Sequence, residues 1–456
     1  MRKVDNKVIE KIEKITLSEL EKATGGKILF GNNEIIESIS TSSNEIDVNT
    51  LFIPIKGERF DAHDFIDDAL KNGATGYLCD REIVKENAKY ALLVNDTRKA
   101  LMDIASFYID KFSIDVIALT GSVGKTTTKE FVANVLSEKY STIRTLKNYN
   151  NEIGMPFTVF SIKNNTEKAI IEMGMSNFGE IEKYSLASKP DVAIITNIGV
   201  SHIEYLKSQE GILKAKSEIF SGMKKDGVAI LNGDDKFLWS LKDNLKFKTV
   251  FFGIENEKCD IVAKNVVATS EKISFTIDGK YFELDIMGKH NVYNALASYA
   301  VAKLYDMSDE LIQKGFNNFK SDGIRQSIFD ENGIKFINDC YNASPQSVKT
   351  SVDVLCNFEG RRIAILGDMG ELGENSGKYH AEVGQYINEK EVDLLITVGS
   401  LSKFINNEAK CKKIHFESNN LVAKYLKENA KVGDVVLIKG SRFMKMEEIF
   451  KIYTDR

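Results

Sequence analysis

The apolar positions of this chain fall into three stretches with different rhythms. Up to about residue 96, short apolar runs at Leu51–Ile55, Gly76–Cys79 and Tyr90–Val94 read as strands, and Phe65–Asn72 reads as a helix. Leu101, Ile104, Ala105 and Tyr108 then recur at helical spacing and predict a connecting helix over Thr97–Lys111. The second stretch opens with the buried-looking strand Ile114–Thr120. Further apolar strands follow at Ala169–Met173, Val192–Thr196, Val228–Leu231 and Val250–Phe252, with helical segments between most of them. Strand and helix alternating in this way predict a mostly parallel sheet covered on both faces. Residues Ile261–Met287 read instead as hairpins, with Asp278-Gly279 as a turn, and a helix follows over Asn291–Leu304. A third stretch begins near Gly323, with strands at Ile334–Asn338, Ile363–Leu366, Leu394–Val398 and Val435–Ile438 and helices between them.

This pattern predicts an α/β protein of three domains. Residues 1–96 form a small α/β domain, 97–322 a central domain with a P-loop-type, mostly parallel sheet, and 323–456 a Rossmann-like α/β domain. Composition narrows the function. The net charge of -5 argues against a nucleic-acid binder, which would usually carry a basic excess. Five scattered cysteines with no CxxC pair fit a reducing compartment. Met1–Glu21 alternates charged and apolar residues without a signal-peptide run, and no stretch approaches the roughly 18–20 apolar residues of a membrane span. The chain is therefore read as cytoplasmic, with no membrane insertion.

The strongest chemical signal is Val116-Ile-Ala-Leu-Thr-Gly-Ser-Val-Gly-Lys-Thr-Thr-Thr-Lys129. A strand ends in a glycine-containing turn, and a helix is expected from Thr126. Gly121 and Gly124 permit the tight turn, loop amides form an anion nest, and the helix adds its positive end. Lys125 can reach the outer phosphates of a nucleotide and Thr126 can ligate Mg²⁺. The loop is T-G-x-x-G-K-T-T, with Leu119 where the general GxxxxGK[ST] pattern has glycine. Glu172, near the end of a neighbouring strand, can hold the metal from the other side or be a partly exposed strand-end residue. His202 follows the carboxyl end of another strand, where open α/β sheets bind ligands, and can ligate a metal or be structural. In the expected helix Gly211–Phe220, Lys214 and Glu218 read as an i,i+4 surface pair and Lys216 as a surface residue.

Taken together, these segments resemble the Mur ligase superfamily, three-domain ATP-dependent amide ligases of peptidoglycan precursor synthesis. The resemblance covers nearly the whole chain. It rests on the phosphate loop, Asn148-Tyr-Asn-Asn-Glu-Ile-Gly-Met-Pro156, Glu172-Met-Gly174, Thr196-Asn-Ile-Gly-Val-Ser-His202, Ala215-Lys-Ser-Glu218, Asn232-Gly-Asp-Asp235, Gly288-Lys-His-Asn-Val-Tyr-Asn294 and Asp339-Cys-Tyr-Asn-Ala-Ser-Pro345. Lys56-Gly-Glu-Arg-Phe-Asp-Ala-His-Asp-Phe65, Gly367-Asp-Met-Gly-Glu-Leu-Gly373 and Lys439-Gly-Ser-Arg442 resemble the branch that adds D-alanyl-D-alanine to UDP-N-acetylmuramoyl-tripeptide. Two departures stand out. Thr41-Ser-Ser-Asn44 lies where the family has D-S-R for the uridine nucleotide, and the D-N-P-R run of the diamino-acid-adding branch is absent.

The resemblance implies ATP and Mg²⁺ as cofactors, the UDP-linked tripeptide and the dipeptide as partners, and a monomer. It places Gly121, Ser122, Val123, Gly124, Lys125, Thr126 and Thr127 on the phosphates. It places His290, Asn291 and Asn294 near the adenine, with Arg325 and Asp339 closing from the third domain. It directs Lys56, Arg59, His63, Asn148, Asn150, Asn151, Tyr341 and Asn342 to the other substrates. It makes Thr126, Glu172, His202 and a carbamoylated Lys216 metal ligands, and Lys125, Lys216, His202 and Glu172 the catalytic set. By themselves, Asn291 and Asn294 can equally cap a helix, and Asp339 can be a strand-end turn residue. Two alternatives stay open: another amide ligase of the superfamily, and a P-loop kinase or NTPase.

Overall fold

Three hydrogen-bonded sheets follow one another along the chain in a computed structural model that describes residues 8–57, 60–320 and 327–454. The first has the spatial order Ile9–Thr16, Ile35–Ser40, Thr50–Phe52, Gly76–Cys79, Tyr90–Leu93, Lys27–Phe30. Its four inner strands are parallel and its two outer strands antiparallel. The strand Ile9–Thr16 is not among the expected elements. Its isoleucines recur at Ile9, Ile12 and Ile15, a spacing of three that is not strand-like. A break in register between Lys11 and Ile15 restores the pairing, so that Ile12 and Ile15 both turn to the core. The helix Leu17–Thr24 follows at once, started by a Thr16–Glu19 capping box and ended by Gly25 in the left-handed region.

The connecting helix Thr97–Ile109 belongs to two bodies. Its Leu101, Ile104, Ala105 and Tyr108 pack in one continuous core with the first sheet and with the central helix Gly154–Phe160. The Tyr108 hydroxyl accepts from the Glu13 amide and donates to the buried Ile162 carbonyl, joining the two domains through a fully buried ring.

The central sheet runs Lys280–Leu284, Ile273–Ile277, Ile261–Ala268, Lys248–Gly253, Val228–Asn232, Val192–Ile195, Asp115–Thr120, Lys168–Glu172, Thr142–Arg144. It is parallel from Thr142–Arg144 as far as Ile261–Ala268 and then folds over as antiparallel hairpins, turning at Asp278-Gly279 with both residues at positive φ. Asp115–Thr120 lies between Lys168–Glu172 and Val192–Ile195. The chain leaves it toward one side first and returns to the other, so a crevice opens beyond its carboxyl end. The third sheet runs Ser327–Glu331, Ile334–Asn338, Val435–Lys439, Arg362–Gly367, Leu394–Val398, Lys412–Phe416, parallel except for its first strand. Among the described residues no helix is long and apolar enough to cross a membrane.

In the first domain, Asp61 caps the turn Ala62–Phe65 and binds the ring of buried His63, with Arg81 alongside. Burial alone would raise the Asp61 carboxyl, but the His63 backbone amide and ring and the Arg81 guanidinium outweigh it and pull it down to about 2. A carboxylate depressed in the fold stabilises it above the ordinary carboxylate range and loses that effect as pH falls toward the folded value. The parent should therefore exceed Asp61→Asn in urea resistance at pH 5. The gap should narrow steadily as the pH is lowered below 4. Unfolding curves at several pH values check this.

Candidate functional site

Residues at the ends of three adjacent central strands, Thr120, Glu172 and Thr196, surround the phosphate loop. The loop is held from one side by the segment that follows Val192–Ile195. Asn197 accepts from the Ser122 amide at its carbonyl (3.1 Å) and from the Val123 amide at its side-chain oxygen (2.9 Å). The Val123 carbonyl accepts from Thr196 Oγ1 and Asn197 Nδ2, and Ser122 Oγ accepts from the Gly199 amide. Gly121 is required because a Cβ there would stand 1.9 Å from Thr196 Oγ1. Gly124, at φ 86, meets Asn294 Oδ1 in the same way, at 2.7 Å.

This changes one expectation. Ser122 and Val123 line the cleft, but their amides are engaged by Asn197 rather than turned inward. The groups left without a partner within the helix are the Thr126 and Thr127 amides in the first turn of Lys125–Ser137, by helix geometry a place where an anion is favoured. Lys125 Nζ lies 2.7 Å from the Gly121 carbonyl, folded over the loop it would serve.

Glu172 is only 1% exposed, so the strand-end surface reading fails. The Thr126 hydroxyl lies 3.0 and 3.2 Å from its two carboxylate oxygens, and Asn150 Nδ2 donates to one of them at 2.7 Å. Lys129, fully buried, brings its ammonium to 3.7 Å from Glu172 and 3.2 Å from Glu130. A buried carboxylate needs such partners. Sequence reading gave Lys129 no role, although it closes the phosphate-loop run.

Lys216 is 2% exposed, which overturns its reading as a surface residue. It lies near the end of the helix Gln209–Ser217, buried close to Lys125 behind the residues that line the cleft. Burial, and then the nearby Lys125 charge, push its pKa well below the usual lysine value. The expected Lys214–Glu218 pair is not formed. Glu218 instead accepts from the Gly179 and Glu182 amides at the start of the helix Glu180–Ser188, where a carboxylate is favoured by the helix dipole. Lys214 lies against the Phe178 ring.

The opposite wall belongs to the third domain. Asp339, after Ile334–Asn338, lies 2.5 Å from Lys439 Nζ and accepts from Ser351 Oγ at 2.7 Å. Burial works against its charge, but Lys439 and Ser351 hold its carboxyl below the ordinary value. It is thus one half of a buried ion pair rather than a turn residue. Lys439 was legible only as part of a run at a strand end. His290 and Asn291 sit in the first turn of the helix His290–Leu304 and Asn294 just after it; the N-cap is Lys289, so neither asparagine caps the helix. Asn294 joins two helices by accepting from Thr128 Oγ1 and donating to Asn291. Burial lowers the His290 pKa to about 4, so the ring is neutral near pH 7.

Between these walls runs a cleft of about 590 Å³, lined by Lys125, Thr126, Glu172, His202, Asp339 and Lys439 among others. Asn150, Asn151, Tyr341 and Asn342 also line it. A second cavity of about 600 Å³ continues past Gly124, His290 and Asn294 toward Asn232, Asp235 and Tyr293. Lys56 and His63 lie apart in the first domain. There Lys56 is bridged to Asp61, and the His63 ring is closed off by Asp61 and Asp80. Asn148 is exposed outside the cleft. Arg59 and Arg325 lie outside the described residues.

Glu172 and Thr126 offer hard oxygen donors side by side, the chemistry that Mg²⁺ takes when phosphate and water complete its shell. Among the described residues no group of three or more His, Cys, Asp or Glu side chains converges as a ready-made metal cage.

Family comparison agrees with this architecture. Residues 35–108 match the Mur ligase family catalytic domain, 119–302 the Mur ligase middle domain, and 324–442 the Mur ligase glutamate ligase domain. The chain belongs to the Mur ligase family. A UDP-N-acetylmuramoyl-tripeptide–D-alanyl-D-alanine ligase of Bacillus subtilis (strain 168) is 40% identical over 428 residues, covering 91% of this chain and 93% of the relative. The crystal structure of MurF from Acinetobacter baumannii superposes with a TM-score of 0.91 at 30% identity, covering 98% of this chain and all of that one. MurF from Thermotoga maritima in complex with ADP gives 0.83 at 30% identity, over 91% and 97% of the two chains.

Proposed function

We propose that this protein is the ATP-dependent ligase that joins D-alanyl-D-alanine to UDP-N-acetylmuramoyl-tripeptide in peptidoglycan precursor synthesis, acting as a monomer in the cytoplasm. One observation carries the reading. The phosphate loop with Lys125 and the buried Thr126–Glu172 pair faces Asp339 and Lys439 of the third domain across a single cleft. The B. subtilis relative is named for this reaction and the T. maritima relative holds ADP.

A carboxylate is a poor electrophile, so the γ-phosphoryl group of ATP is transferred to it. The dipeptide amine attacks the resulting acyl phosphate and phosphate leaves. Lys125 and the first helical turn hold the β- and γ-phosphates while the chain orients the two anions, so that stabilisation is electrostatic and positional. Thr126, Glu172, His202 and carbamoylated Lys216 would hold Mg²⁺, which supplies charge screening between the phosphate and the carboxylate. Neutral Lys216 is the form that reacts with CO₂, and its burial favours that form. His290, Asn291, Asn294, Arg325 and Asp339 serve the nucleotide. Asn150, Asn151, Tyr341 and Asn342 meet the acceptor and the dipeptide in the cleft, and Lys56, Arg59, His63 and Asn148 serve the substrates outside it.

Phosphate release tests the assignment. It should require ATP, the UDP-linked tripeptide and the dipeptide together, falling to background when any one is omitted. Turnover of ATP that needs neither the tripeptide nor the dipeptide would mark an NTPase instead.

A further inference from the structure

His202 stands at the meeting of two domains in an unusual backbone state. It occupies the left-handed region (φ 65, ψ 18) before the short helix Ile203–Leu206. The residue facing it, Glu371 of the third domain, is also left-handed, at φ 60. Non-glycine residues seldom adopt this conformation, and they keep it only where the surroundings enforce it. Here those surroundings are mutual. Glu371 Oε2 lies 2.6 Å from His202 Nδ1, a close ion-pair contact not aligned as a hydrogen bond, and the Glu204 amide donates to the Glu371 carbonyl. A Cβ on Gly373 would meet the Glu204 backbone at 3.3 Å, while Val200 and Ile203 pack on the core of the third domain.

We propose that Glu371 is a positioning residue for the ligase reaction: the third domain delivers its carboxylate to His202 Nδ1, fixing the ring so that Nε2 faces the cleft. A carboxylate on one imidazole nitrogen sets the tautomer and orientation of the other, a general device behind histidines that bind ligands or metals. The central domain alone does not contain that carboxylate. His202 is therefore readied only when the third domain is seated, and assembly of the site is coupled to closure. This rests on the function proposed above, and concerns a residue with no role in the phosphate-binding set.

The test uses Glu371→Gln, which keeps length and loses charge, with exposed Glu374→Gln as control. Imidazole ¹⁵N spectra of the nucleotide-free protein should show one histidine signal moved in Glu371→Gln, identified as His202 by its loss in His202→Gln. In the ligation assay, Glu371→Gln should lower kcat by about tenfold or more with KM for ATP within about twofold. Glu374→Gln should match the parent in both readouts. An unmoved His202 signal, a parental kcat, or a loss confined to KM, as expected of a mere latch between domains, would overturn the inference. A parent that fails to ligate would overturn the function itself, whereas an active parent with an unmoved signal would overturn only the role of Glu371.

Discussion

Lys125→Ala is expected to lower the rate of dipeptide ligation by about 10²–10³-fold, the scale on which a single preorganised electrostatic group acts on a transition state. The side chain starts the helix Lys125–Ser137 and folds back to the Gly121 carbonyl, so its ammonium already lies over the loop. Ser122 and Val123 have their amides tied to Asn197, which leaves the loop with fewer donors than a full amide nest. The lysine is accordingly expected to carry a larger share of the anion binding. Mg·ATP affinity should fall together with kcat, while exposed Lys22→Ala should leave both unchanged. Calorimetric titration with Mg·ATP and steady-state phosphate release measure the two effects. A Lys125→Ala enzyme with parental turnover would remove the loop from the mechanism and the ligase assignment with it.

The second large effect concerns a side chain that the sequence pattern puts on the surface. Lys216→Ala is expected to lose activity by about two orders of magnitude or more, with part of it restored by formate or acetate. Lys216 is buried beside Lys125, and both burial and that neighbouring charge favour its neutral amine. A neutral amine takes up CO₂ and becomes a carboxylate on a long arm, the hard anionic donor that magnesium prefers. Removing the arm leaves a space that a small carboxylate can fill. The direct check is a carbamate signal from the parent in ¹³C-bicarbonate that is missing from Lys216→Ala. Unimpaired turnover in Lys216→Ala, or an equal boost of the parent by acetate, would exclude this role.

These two lysines mark the boundary between local and tertiary information. The strand Asp115–Thr120, its two glycines and the Lys-Thr pair could be read from the chain because their requirements are local. A fully apolar run makes a strand buried on both faces, a tight turn demands residues without Cβ, and a helix start follows directly. Most strands of the three sheets were legible for the same reason. The edge strands Ile9–Thr16, Lys27–Phe30, Thr142–Arg144, Ser327–Glu331 and Lys412–Phe416 were not, because edge positions stay partly polar or a register break disturbs the alternation. The inner strand Ile35–Ser40 was not legible either, because Glu37, Ser38 and Ser40 interrupt its apolar run.

The sequence by itself thus determined the phosphate loop, the succession of three α/β layers and the chemistry available at Glu172, His202 and Asp339. Tertiary structure alone decided what those groups face. It buried Lys216, broke the apparent Lys214–Glu218 pair in favour of a helix start, set Lys129 against Glu172 and Lys439 against Asp339, and brought Glu371 to His202 across a domain boundary. The reason is physical. Turn geometry and hydrophobic period act over a few residues, whereas desolvation and charge pairing depend on which side chains converge after segments far apart in the chain have packed.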